Sequence, residues 1–227
     1  MMTADPRIVS NPRRVEVMSF DEAAELAYFG AKVLHPNTIY PAVQENIPVK
    51  VLNSRAPQIE GTLILSALSA ESQKADVVKS IAFKKGITVI NVGSSRMLMA
   101  HGFLAKLFSI FADYQKSIDV VSTSEVSVSV TIDNEDGLAN IQTELEKIGD
   151  VRIARGKAII CVVGEGMKQT PGIAGRIFST LAASKINIEM VSEGASEINL
   201  TIVVSEEQVT EAVRCLHDEF FGRKREG

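Results

Sequence analysis

From residue 84 onward the apolar positions fall into two alternating periods. Residues 87–92 form an apolar run, after which Phe103, Leu107, Ile110 and Phe111 recur at helical spacing. Residues 118–121 predict the second strand. Val126, Val128, Val130 and Ile132 then alternate with Ser127, Ser129 and Thr131, the pattern of a strand with one buried face. Leu138, Ile141 and Leu145 predict a second helix, and residues 151–154 a last strand. The same order then returns. Residues 158–163 lead, and a helix opening at Pro171 carries Ile173, Ile177 and Leu181; proline suits that first-turn position. Ile198, Leu200 and Ile202 alternate with Glu197, Asn199 and Thr201, and Val209, Val213 and Leu216 predict a final helix. Gly102 falls on Gly172, Phe108-Ser109 on Phe178-Ser179, Val121-Ser122 on Val191-Ser192 and Thr131-Ile132 on Thr201-Ile202, a gapless offset of 70 positions. An internal repeat of this kind decides the architecture.

Each copy reads strand, helix, strand, strand, helix, strand, which is the ferredoxin-like βαββαβ motif. The fold class predicted is α+β. Residues 80–83 form an extra strand before copy one, while copy two lacks a clear last strand. Copy one (residues 84–155) is therefore expected to be inserted into copy two (residues 78–83 plus 157–221), with 78–83 completing the second sheet.

Residues 1–65 differ in texture. They hold six of the seven prolines: Pro6, Pro12, Pro36, Pro41, Pro48 and Pro57. Ser19-Phe20-Asp21-Glu22 has the form of a capping box, followed by the strong helix formers Ala23 to Tyr28, with Gly30 as the expected C-cap and Pro36 as a stop. A short helix is predicted at 40–45 and strands at 47–52 and 62–65. These strands have no evident partners in the sequence, and an isolated pair is marginal. The segment reads as the end of an α/β domain. Residues 66–77, small and polar, read as a linker.

At 45% hydrophobic and 23% charged, the 227 residues suit a globular chain with a sizeable core. A net charge of −4 argues against a nucleic-acid partner. Neither a signal peptide nor a membrane-spanning run is evident, and a cytoplasmic location is expected. Cys161 and Cys215 share no metal-ligand spacing, and Cys161 reads as a small buried hydrophobe. No metal site is expected. His35, His101 and His217 are dispersed, without a nucleophile beside them. Gly164-Glu165-Gly166 mimics the opening of a dinucleotide fingerprint, but Gln169 stands where the third glycine belongs.

Gly102-Phe103-Leu104-Ala105-Lys106-Leu107-Phe108 and the run from Ser117 to Ser127 closely resemble the first ACT domain of aspartate kinases. Ser192-Glu193-Gly194-Ala195-Ser196 resembles the matching turn of their second ACT domain. Upstream, Thr3-Ala4-Asp5-Pro6-Arg7 and Phe29-Gly30-Ala31-Lys32-Val33-Leu34-His35-Pro36 resemble closing nucleotide-side motifs of the same family's kinase domain. The resemblance implies tandem ACT domains preceded by a partial amino-acid-kinase domain. In the family, aspartate is phosphorylated with MgATP in the first step toward lysine, threonine and methionine, under feedback control by end products. The family's opening Lys-Phe-Gly-Gly-Thr-Ser type motif does not occur here, and neither do the acids of the aspartate pocket. Phosphoryl transfer is almost entirely positioning and charge neutralisation. The chain alone is accordingly expected to be inactive and to hold no cofactor.

By the same resemblance Asp5, Arg7 and Lys32 are a nucleotide-site remnant, with the two cations facing phosphate. The effector site is expected at 97–105 and 117–125. Met97, Gly102, Phe103, Leu104 and Ala105 mark a loop and helix start whose N–H groups suit a ligand carboxylate. Ser117, Ile118 and Asp119 open the second strand, where Asp119 suits an α-ammonium. Ser124 and Glu125 lie in the turn that follows. In copy two the same positions are Glu189, Gly194 and Ala195, so copy one is expected to bind ligand and copy two to be structural. A second carboxylate favours a cationic effector such as lysine, with threonine left open. The partners expected are an amino-acid effector, a second copy in a homodimer, and a full-length aspartate kinase. A non-catalytic subunit and a free-standing sensor are the alternatives.

Overall fold

A computed structural model of the chain describes residues 1–29, 36–68, 77–94, 101–194 and 198–222. In chain order its strands and α-helices are β1 (Val17–Ser19), α1 (Phe20–Tyr28), α2 (Pro36–Gln44), β2 (Val49–Val51), β3 (Thr62–Leu65), β4 (Ser80–Gly93), α3 (Phe103–Asp113), β5 (Val121–Thr123), β6 (Ser127–Ile132), α4 (Leu138–Glu146), β7 (Asp150–Val163), α5 (Ile173–Ala183), β8 (Met190–Glu193), β9 (Asn199–Ser205) and α6 (Val209–Phe221).

The capping box forms as the sequence predicts. Ser19 Oγ accepts from the Glu22 N–H, and the Glu22 carboxylate accepts from the Ser19 N–H at 2.8 Å. Phe29 takes the C-cap position of α1; Gly30 lies outside the described residues. Pro36, expected as a stop, instead begins α2, which extends the 40–45 prediction four residues upstream. The N-terminal strands do have partners. β3 runs parallel to β1 and antiparallel to β2 in a small sheet of order β1-β3-β2. The missing partner, β1, has three residues and runs straight into the capping box, too short to show an alternation.

The second sheet has six strands in the order β5-β6-β4-β7-β9-β8. Residues 80–83 and 87–92, read from sequence as separate strands, belong to the single 14-residue β4, and 151–154 and 158–163 to the 14-residue β7. Ser80–Lys84 pairs with Ile159–Val163, and Val89–Gly93 with Asp150–Ala154. Between the two stretches the register shifts twice, where Gly86 and Gly156 adopt φ of 72° and 66°. Glycine adopts that left-handed conformation at no steric cost, as a bulge of this type requires.

Alternation along β7 shows what covers each face. Ala158, Ile160 and Val162 pack under α5 and α6, while Ile159, Cys161 and Val163 pack on the other side against Phe20, Ala23 and Leu26 of α1. Ile90 and Val92 of β4 pack under α3 and α4, and Ile87 lies in the cluster that holds α1. Helices from both copies thus cover one face, and the N-terminal segment covers the centre of the other. The edge strands approach each other as well: Ser192 Oγ on β8 donates to the Val121 carbonyl on β5 at 3.2 Å.

Candidate functional site

Asp119 precedes β5, its N–H donating to the Thr131 carbonyl at 3.0 Å. Its side chain is 3% exposed, far from the solvated strand-end acid that position usually carries. Oδ1 accepts from the Tyr28 hydroxyl at 2.9 Å and from Lys84 Nζ at 3.1 Å. Oδ2 is buried and has no partner. Lys84 also reaches Asp133 Oδ2 at 2.7 Å. Burial works against the Lys84 charge, but bonds to Asp133 and Asp119 outweigh it and hold the ammonium above the usual lysine range. Burial, and then the bond to Asp119, push the Tyr28 phenol up to about 12.

A cleft of about 550 Å³ opens here between α1 and the start of β5, walled on its far side by β8 and β9. Glu25, Tyr28, Asp119, Ser192, Asn199 and Thr201 contribute its polar lining. Glu25 accepts from Asn199 Nδ2, and burial raises its carboxyl above the usual range in spite of that bond. One turn earlier, the fully buried Glu22 also takes the Glu165 N–H at 2.7 Å, tying α1 to copy two. That bond occupies the start of the glycine-containing segment at 164–166, which folds as the 3₁₀ helix Glu165–Gln169.

The other predicted effector residues stand apart from Asp119. Ser124 and Glu125 form the hairpin tip between β5 and β6. The Ser124 N–H donates to the Ser127 carbonyl at 2.8 Å, and Ser124 Oγ lies 2.8 Å from Ser127 Oγ. Five residues of extended chain separate this tip from Asp119, roughly 17 Å. Ser94 donates to the Val126 carbonyl at 2.8 Å, so the chain leaves β4 beside the tip. Gly102, at φ 83°, opens α3 and, as a glycine, offers no side-chain cap to the N–H groups of Phe103, Leu104 and Ala105 in the first turn. Ser117 is exposed and Ile118 packs beneath α3. Met97 lies outside the described residues. Within one chain, then, the cleft at Asp119 does not include Gly102 to Ala105, Ser124 or Glu125, the other positions predicted for the effector.

In the nucleotide-side turn, Asp5 and Arg7 hold each other. Arg7 Nη2 lies 2.6 Å from Asp5 Oδ2, and this hydrogen bond keeps the Asp5 carboxyl below the usual range. The Arg7 side chain is 87% exposed and free to meet solutes. The turn rests on α6: Arg214 Nε donates to the Ile8 carbonyl at 2.9 Å, and His217 Nε2 lies 3.0 Å from Thr3 Oγ1. Lys32 lies outside the described residues. Burial pushes the Cys161 thiol up to about 12, so it is protonated and unreactive at neutral pH. Among the described residues no group of three or more His, Cys, Asp or Glu is placed to hold a metal, and no helix is long and apolar enough to cross a membrane.

Sequence reasoning missed Tyr28, Lys84 and Glu25 as neighbours of Asp119. Their link to it is tertiary and carries no periodic signal. Only the position of Tyr28 beside Phe29-Gly30-Ala31-Lys32 hinted that α1 faces something functional.

The chain matches the ACT domain family over residues 90–142 and 160–220, and the amino acid kinase family over residues 1–53. It is 41% identical over 234 residues to chloroplastic aspartokinase 2 of Arabidopsis thaliana, covering 97% of this chain and 42% of that protein. Its structure aligns with Clostridium acetobutylicum aspartate kinase at a TM-score of 0.88 and 35% identity, over 96% of this chain and 52% of that one. Against E. coli aspartokinase III with aspartate and ADP (R-state) the TM-score is 0.86 at 35% identity, covering 97% of this chain and 50% of that one. Against the same enzyme with lysine and aspartate (T-state) it is 0.82 at 36% identity, covering 97% and 49%. The chain therefore spans about half the length of the relatives it matches.

Proposed function

The chain belongs to the aspartate kinase family and corresponds to the C-terminal part of its members, and from that premise we propose that it senses an end-product amino acid and controls aspartate phosphorylation. One observation carries the reading. Where Glu189 of copy two is partly exposed and held by Lys157, the equivalent Asp119 of copy one buries a carboxylate oxygen that has no partner among the described residues. An ammonium group supplies what that oxygen lacks. The T-state complex of E. coli aspartokinase III with lysine supports a cationic amino acid over threonine.

The separation of Asp119 from Ser124 and the α3 N-terminus gives the sensor a second requirement. A ligand reading both ends of β5 needs a second copy to bring them together, and two β5 strands running antiparallel across a two-fold axis do so. The homodimer is part of this proposal. Leu104 and Phe108 on α3 and Val126 at the hairpin tip leave apolar surface exposed for it.

Calorimetric titration of the chain with lysine and with threonine tests the reading. Lysine is expected to bind wild type and the Glu189→Ala variant alike, and Asp119→Ala at least tenfold more weakly. Equal binding by the wild type and Asp119→Ala removes Asp119 from the site.

A further inference from the structure

Tyr28 is the last residue of α1, and its bond to Asp119 joins the N-terminal segment to copy one across 91 positions of sequence. Lys84 lies 5.4 Å from the Tyr28 ring centroid and shares the same carboxylate oxygen. Two donors thus crowd one oxygen of Asp119, and because the side chain is only 3% exposed, the other oxygen, unpartnered among the described residues, opens to an incoming ammonium only when a covering neighbour moves. Tyr28 is 45% exposed, with its ring meeting Phe29 edge-on at 5.0 Å. The chain beyond it runs directly into Phe29 to Pro36, which resembles a nucleotide-side motif of the family.

We propose that Asp119 is a shared acceptor for which Tyr28 and the ammonium group of an amino-acid effector compete, so that effector binding frees the C-terminal end of α1. The inference rests on the reading of copy one as the sensor. The chemistry favours the effector. An ammonium brings a full charge and three donors, whereas Tyr28 is a neutral phenol at physiological pH, and charge-assisted hydrogen bonds are about twice as strong as neutral ones. Lys84 is not stranded by the exchange, because Asp133 holds it at 2.7 Å. The charged groups facing Tyr28 are Asp119, Lys84 and Asp133, with Glu25 one turn back on its own helix. The coupling is reciprocal: whatever holds Tyr28 on Asp119 weakens the effector, and the effector weakens that hold by the same factor.

The test uses the 227-residue chain with lysine as the probe. Tyr28→Phe keeps the ring and removes the competing hydroxyl, and it is expected to bind lysine about 3- to 10-fold more tightly, the range one hydrogen bond supplies. In wild type labelled with 13C-tyrosine, the Tyr28 Cζ resonance, assigned by its absence in the variant, is expected to shift as lysine saturates. A wild type and a variant that bind lysine with equal affinity overturn the inference and leave the sensing role standing. So does a Tyr28 resonance that stays fixed while lysine binds. A chain that binds no lysine in either form overturns the sensing role and this inference together.

Discussion

The two copies share a backbone and differ in what that backbone holds. At the 70-position offset, Gly102 and Gly172 open their helices at φ 83° and 86°, Gln115 and Lys185 leave them at φ 52° and 58°, and Gly86 and Gly156 sit in the same bulge. At the equivalent acid the copies part. Asp119 is 3% exposed, with one buried oxygen unpartnered among the described residues; Glu189 is 28% exposed and held by Lys157 at 2.6 Å. The attachment of α1 differs too. Copy two is held through buried Glu22 and the Glu165 N–H, copy one through the half-exposed hydroxyl of Tyr28. A repeat therefore keeps its frame by apolar spacing and bulge glycines, while a few polar positions decide what each copy holds at the equivalent acid. The frame is the expensive part to build, and the chemistry is added at very few sites.

The frame can be broken in either copy. Leu107 under α3 and Ile177 under α5 stand at the offset and are both fully buried. Truncating either to alanine is expected to cost about 2–5 kcal/mol by lost transfer energy plus cavity. Because β4 and β7 run through both copies, each variant is expected to unfold in one transition, followed by circular dichroism in urea. Separate transitions for the two copies break the comparison at its root. The attachment of α1 comes next. Glu22→Ala leaves two buried N–H groups without an acceptor and is expected to cost about 2–3 kcal/mol. Tyr28→Phe is expected to cost less, about 1 kcal/mol, the worth of one hydrogen bond. Equal losses mean the two attachments do not differ in kind. A smaller effect is expected at the helix starts. Gly102→Ala and Gly172→Ala meet no obstruction among the described residues and strain only φ, so stability, read from thermal melts, is expected to fall by a similar small amount in each, about 1 kcal/mol.

The smallest contrast is in pH. His217, in copy two alone, sits beside Thr3, and burial lowers its pKa below the ordinary value. A depressed folded-state value contributes stability that is present above about pH 6.5 and lost as pH falls through the folded pKa. Wild type is therefore expected to lose stability on acidification from neutral pH more steeply than His217→Gln, measured by urea midpoints between pH 7.5 and 5.5. Parallel curves place the dependence elsewhere.

Much of this was legible in the residues themselves. Val126 to Ile132 announced a one-faced strand by strict alternation, Ser19 and Glu22 announced a helix start by a local pairing rule, and the offset exposed the repeat. Other features left no local trace. Lys84-Lys85-Gly86 reads as a polar break, yet the bulge carries β4 straight through it. β1 is too short to show a period. Asp119 stood out as an acid suited to an α-ammonium, but nothing local told of its burial. Its burial is imposed by Tyr28 and Lys84, which lie 91 and 35 positions away in the chain. Nor does alternation say which neighbour covers a buried face, so the docking of α1 on Ile159, Cys161 and Val163 emerged only in three dimensions.

The uninterrupted run of β4 has a mechanical consequence. One end of the strand, at Gly93, lies beside the hairpin partner Ser127, and the other end carries the first residues of the chain: Ser80 Oγ donates to the Met2 carbonyl and the Ile81 N–H to that of Thr3. A rod of 14 residues, bulged at Gly86, spans the distance from copy one to the threshold of the Asp5-Pro6-Arg7 turn. Tilting one tip moves the other, with no loop between them to absorb the displacement.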